Sequence, residues 1–129
     1  MSDPVWLLEA AVLIAHEVSL ANFGGADGIR DQNLLELALA KPRNQFVYGN
    51  TEIPELAAAY TTGIVQNHPF VDGNKRTGFL AGAAVMELNG LRLTATEPEA
   101  TRIILDLAAG DVSELQLAAW FQKKSVKKG

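Results

Sequence analysis

The chain has 129 residues, enough for one domain with a real core, and its 48% apolar and 20% charged residues are the balance of a soluble globule. It has no cysteine, which excludes disulfides and thiolate metal sites and agrees with a reducing, cytoplasmic setting. A net charge of −4 excludes the overall electrostatic footprint of a nucleic-acid binder.

The start MSDP is polar and lacks a basic leader segment, so no secretory leader is expected. No apolar run is long enough to span a bilayer, so no membrane partner is expected either. Leu7, Ala11, Ile14, Val18 and Ala21 form a helical stripe, with Asp3 and Pro4 at its start and Gly24-Gly25 at its stop. Asp31 can cap a second, shorter helix carrying Leu34, Leu35, Ala38 and Leu39, which should end before Pro42. Residues 42–52 lack a helical period, and Phe46, Val47 and Tyr48 favour an extended segment or small hairpin there.

Pro54 suits a first helical turn, and Ile53, Ala57, Tyr60 and Ile64 share a face. From Thr77 to Met86 no residue is charged, so this helix should be buried on all sides. Gly90 is a natural stop, and Leu91 to Leu93 suit a short extended piece. Thr96 with Glu99, and Ser113 with Gln116, are capping-box pairs opening two further helices, the first ended by Gly110. Residues 122–129, with Lys123, Lys124, Lys127 and Lys128, read as a frayed basic tail. The expected fold is all-α: one domain over 1–129, a helical bundle around one buried central helix, with a small extended flap.

Between two of these helices lies HPFVDGNKRTG, residues 68–78, the densest chemistry in the chain. Pro69 disfavours helix at His68, and a new helix should begin near Asn74 or Lys75. The main-chain N–H groups of Gly73, Asn74, Lys75 and Arg76 would then sit unpaired at a helix N-terminus, where free donors and the helix dipole both favour an anion. Lys75 and Arg76 add positive charge, and Gly73 lets a ligand approach the main chain. Asp72 beside this cradle could hold Mg²⁺, which commonly binds one or two carboxylates together with phosphate oxygens. His68 could take the proton of an attacking hydroxyl. The same residues also admit a plain structural reading, with His68 and Asp72 as capping or hydrogen-bonding groups and the two cations as solvated surface. Phe70 reads as an apolar anchor for the loop. His16 lies mid-helix and reads as structural or surface.

The string HPFVDGNKRT resembles the signature of the Fic superfamily, HxFx[DE]GNxR, and more closely that of its Doc ("death on curing") toxin branch. His68, Phe70, Asn74, Lys75, Arg76 and Thr77 match the Doc pattern HxFxxxNKRT. The segments GGADGIRDQNLLELALAKP and LNGLRLTAT are also similar to Doc-like sequences. The resemblance implies the α-helical Fic fold, with His68 as catalytic base, Asp72 holding Mg²⁺, and Gly73, Asn74, Lys75 and Arg76 holding the phosphates of ATP. It implies a flap, for which residues 44–51 are the candidate.

Two positions depart from the general pattern HxFx[DE]GNGRxxR: Lys75 replaces a glycine, and Phe79 replaces the second arginine. Both fit the Doc branch, whose resemblance implies transfer of the γ-phosphoryl group to a threonine of elongation factor Tu and so an arrest of translation. AMP transfer to a protein hydroxyl, and a non-catalytic module that binds a nucleotide or a partner, stand as alternatives. The inhibitory pattern [ST]xxxE[GN] carried by many Fic proteins does not occur here. The resemblance therefore implies a separate, Phd-like antitoxin whose disordered tail folds into a groove beside the site.

Overall fold

The computed structural model describes residues 3–50 and 52–129. Its elements run α1 (Glu9–Phe23), α2 (Gln32–Val47), α3 (Ile53–Asn67), α4 (Asn74–Leu88), β1 (Leu91–Leu93), α5 (Glu97–Ala109), α6 (Glu114–Lys123) and β2 (Ser125–Lys127). The fold is all-α, as expected, with one small antiparallel pair of strands.

The helix at the centre is α3. Every residue from Leu56 to Val65 is buried. The central position was expected for α4, but α4 keeps only one face inside, through Asn74, Thr77, Gly78, Ala81, Gly82, Val85 and Met86. Gly78 lets the two helices touch, since a Cβ there would lie 2.8 Å from Val65 Cγ2 and 3.0 Å from the Thr61 carbonyl oxygen. The Thr61 hydroxyl donates across the same seam to the Gly78 carbonyl at 2.8 Å. A charge-free sequence thus marks close helix contact as well as burial.

Of the stripe read for α1, Leu7 is buried but lies ahead of the helix, Ala11 is half-buried against the core, and the rest faces outward. Ile14 is 60% exposed and Val18 46%, while Val12, His16 and Ser19 point inward. Helix α1 also begins at Glu9, after an extended segment in which the Leu7 N–H donates to the buried Tyr60 hydroxyl at 3.1 Å.

Helix α2 does not stop before Pro42 but continues to Val47. Proline lacks the N–H for one helical bond and normally breaks such a run. Here tertiary contacts hold the second half: Pro42 is buried, Phe46 packs edge-on to Trp6 at 5.6 Å, and Lys41 and Gln45 both bond to Glu114. The expected extended flap is therefore helical through Val47, followed by a turn at Tyr48 and Gly49; Thr51 lies outside the described residues.

The basic tail is not frayed. Leu91 pairs with Lys127, Arg92 with Val126 and Leu93 with Ser125, and Lys124 and Lys128 bond to Glu99 and Glu87. No helix among the described residues is long and apolar enough to cross a membrane.

Candidate active site

The segment between α3 and α4 carries the residues singled out above, and almost every main-chain group in it has a partner. His68 ends α3 in the left-handed conformation, with φ 50° and ψ 56°, the one described non-glycine residue at positive φ. A side chain there costs on the order of 1 kcal/mol, so neighbouring contacts must hold it. The imidazole is exposed. Its Nδ1 lies 3.5 Å from Asn74 Nδ2, at the long limit of a hydrogen bond.

Phe70 is 1% exposed, so its main-chain groups need protein partners. Asn74 supplies both: Oδ1 accepts the Phe70 N–H at 3.0 Å, and Nδ2 donates to the Phe70 carbonyl at 3.0 Å. Asn74 is itself 7% exposed. Its carboxamide thus shapes the loop rather than facing outward to a phosphate.

His16, read as structural or surface, is a buried support for the same loop. Its ring stacks on Phe70 at 3.9 Å and 11°, and Nε2 lies 2.8 Å from the Asp72 carbonyl oxygen. A carbonyl can only accept, so Nε2 carries the proton.

Helix α4 opens at Asn74 with Gly73 as its N-cap, and its first intrahelical bond runs from the Thr77 N–H to the Gly73 carbonyl. The N–H groups of Asn74, Lys75 and Arg76 thus have no acceptor within the helix. Lys75 and Arg76 are exposed above them. The Arg76 guanidinium lies 3.2 Å from the centre of the Phe23 ring, a cation–π contact.

Asp72 is exposed and points its carboxylate at amide donors: Oδ1 accepts the Gly73 N–H at 2.9 Å, and Oδ2 accepts the Ala26 N–H at 3.3 Å. Gly25 makes room for it, since a Cβ there would sit 2.9 Å from Oδ2. One exposed carboxylate beside a helix end that favours anions is a donor set suited to Mg²⁺ shared with a nucleotide's phosphates. Among the described residues no group of three or more His, Cys, Asp or Glu forms a metal cluster.

A groove of about 470 Å³ opens beside this helix end. Apolar residues including Phe23, Phe79, Leu80 and Ile104 line it, and its charged lining residues are Lys75, Arg76 and Glu97. Phe79 turns into an aromatic cluster with Trp120 and Phe121, at 6.3 and 6.2 Å.

The roles of residues 24–31 were missed in sequence. They run beside the motif loop, joined by an antiparallel bridge between Ile29 and Phe70. The Val71 N–H donates to the Gly28 carbonyl at 3.0 Å, and the Arg30 and Asp31 N–H groups both reach the Pro69 carbonyl. The glycines and Asp31 were legible as punctuation, but their partners lie some forty residues away.

The family model described as "Fic/DOC family" matches residues 6–86. A protein named Toxin Doc, from Mycolicibacterium smegmatis (strain ATCC 700084 / mc(2)155), is 42% identical over 76 residues. That match covers 57% of this chain and 58% of the relative, so it spans little more than half of either. By the extent of the family match, and in keeping with its motif, the chain belongs to the Fic/DOC family.

Proposed function

We propose that this chain is the toxin of a cytoplasmic toxin–antitoxin pair, and that it transfers the γ-phosphoryl group of ATP to a threonine hydroxyl of elongation factor Tu. The observation that carries the reading is the pinned loop. It presents the main-chain N–H groups of Asn74, Lys75 and Arg76 under two exposed cations, with exposed His68 and Asp72 on the same turn. The name of the relative, Toxin Doc, supports the toxin part.

In this reading the terminal phosphate of ATP sits at the N-terminus of α4, where amide donors and the helix dipole hold it. Asp72 would hold Mg²⁺, which supplies charge neutralisation on the phosphates. His68 takes the proton of the target hydroxyl as its oxygen bonds to the γ-phosphorus. The bond from that phosphorus to the β–γ bridging oxygen breaks, and ADP leaves. Lys75 and Arg76 stabilise the charge on the transferring group. Lys75 stands where AMP-transferring relatives carry a glycine, and Phe79 packs on Trp120 and Phe121 where they carry an arginine. Both favour phosphoryl over AMP transfer.

The groove bounded by Phe23, Lys75, Arg76 and Leu105 is the proposed seat of the antitoxin. Its apolar lining, with Lys75 and Arg76 outnumbering Glu97, suits a Phd-like tail that is disordered alone and folds as an acidic amphipathic helix on binding. Induced expression tests the toxin reading. Wild type should arrest growth and folded His68→Ala should not; arrest by both would contradict it.

A further inference from the structure

We infer that Arg30 is a positioning residue for the candidate base, holding the His68 backbone in the one conformation that presents the imidazole. Arg30 alone engages three consecutive carbonyl oxygens. Its Nε donates to His68 at 2.7 Å, its Nη2 to Asn67 at 2.9 Å and its main-chain N–H to Pro69 at 2.7 Å. Two of these carbonyls close α3, whose last carbonyls lack partners inside the helix and form the negative end of its dipole. A guanidinium answers both needs with fixed charge and a planar fork of donors.

The clamp acts where the backbone is least favourable, because His68 has φ 50° in a region that non-glycine residues rarely occupy. Released, residues 67–69 would relax toward the broad extended region, and the imidazole would swing away from Asn74 and the α4 N-terminus. Arg30 is itself fixed. The next residue, Asp31, caps α2 by accepting the Leu34 N–H at 3.1 Å, and the isolated Ile29–Phe70 bridge holds the segment on the other side. The start of α2 therefore sets the end of α3. The role rests on the reading of His68 as the base, but the clamp has a readout of its own.

The test compares Arg30→Ala and Arg30→Lys with wild type in two measurements. Amide hydrogen exchange of the folded chain reports the clamp. In Arg30→Ala the His68 and Val71 amides should exchange at least tenfold faster, while amides of α5 stay unchanged. Phosphoryl transfer from ATP reports the consequence. Its kcat should fall by on the order of tenfold to a hundredfold with KM for ATP nearly constant, because misplacement of a reacting group lowers rate more than binding. Guanidinium chloride, far below denaturing concentrations and against a sodium chloride control, should restore both slow exchange and rate in Arg30→Ala. Arg30→Lys, with one point donor in place of a fork, should resemble Arg30→Ala. Unchanged exchange at His68 would overturn the clamp, and fast exchange with a wild-type kcat would overturn the positioning role. A wild-type chain that transfers no phosphate would remove the proposed chemistry, and the exchange rates would still decide the clamp.

Discussion

The side chain of Asn74 binds the main chain of Phe70 as a neighbouring strand would, accepting its N–H and donating to its carbonyl, both at 3.0 Å. An asparagine in a phosphate-binding motif invites the view that it contacts phosphate, but here it fixes the turn on which the other groups are carried. Asn74→Ala should leave two buried polar groups of Phe70 unpaired and lower stability by about 2 kcal/mol or more. Urea unfolding measures this. Wild-type stability with weakened ATP binding would mean that the carboxamide serves the ligand instead.

His68 is exposed and lends little to packing, so His68→Ala should keep the fold, with stability changed by less than about 1 kcal/mol. Loss of a general base should lower the transfer rate on the order of a hundredfold or more. Circular dichroism and single-turnover transfer, run on the same sample, separate the two effects. A folded His68→Ala protein with wild-type rate would leave His68 as a helix cap only.

Asp72→Asn keeps the size of the side chain and removes the charge; its one oxygen can still accept the Gly73 N–H, while the longer bond from the Ala26 N–H loses its acceptor. ATP binding with and without Mg²⁺, followed by calorimetry, should show a strong magnesium dependence in wild type that is much reduced in the variant. An equal dependence in both would assign the metal to other groups.

Glu99 reports on the C-terminal strand. The Lys124 ammonium, then the Thr96 N–H and hydroxyl, hold its carboxyl down at about 2. Its folded value lies below its unfolded one, so it contributes stability above the ordinary glutamate range and loses it as pH falls toward 2. The melting temperatures of wild type and Glu99→Gln should therefore differ at pH 7 and converge between about pH 4.5 and 2. A gap that persists at pH 2 would contradict the pairing.

Much of this was legible in local sequence. Asp31, Thr96 with Glu99, Ser113 with Gln116, and Gly110 cap the expected helices, and α4 begins at Asn74. Caps act within three or four residues, so their chemistry shows in any short window. The errors share the opposite cause. Ile14 and Val18 form the more apolar stripe of α1, yet the helix turns His16 and Ser19 inward, and His16 meets partners in the motif loop. Pro42 stays helical because Trp6 and Glu114 hold the turns around it. Residues 125–127 form a strand only because Leu91–Leu93 lies beside them. Of the candidate site, the motif marked the candidate residues, but the distant contacts of Arg30, Gly25 and His16 that hold the loop in shape left no periodic trace.

Which phosphorus is attacked decides whether this loop would move a phosphate or an adenylate. Lys75 occupies the position where a glycine would leave room for the β- and γ-phosphates of an AMP donor, and Phe79 offers no second arginine clamp. The nucleotide should therefore enter with its terminal phosphate against the N-terminus of α4. Elongation factor Tu incubated with the chain, ATP and Mg²⁺, then weighed by intact mass spectrometry, reads the outcome directly. One added phosphate, absent with His68→Ala and reduced with Lys75→Gly, is the predicted result. An adenylate-sized increase, or a factor of unchanged mass, would contradict it.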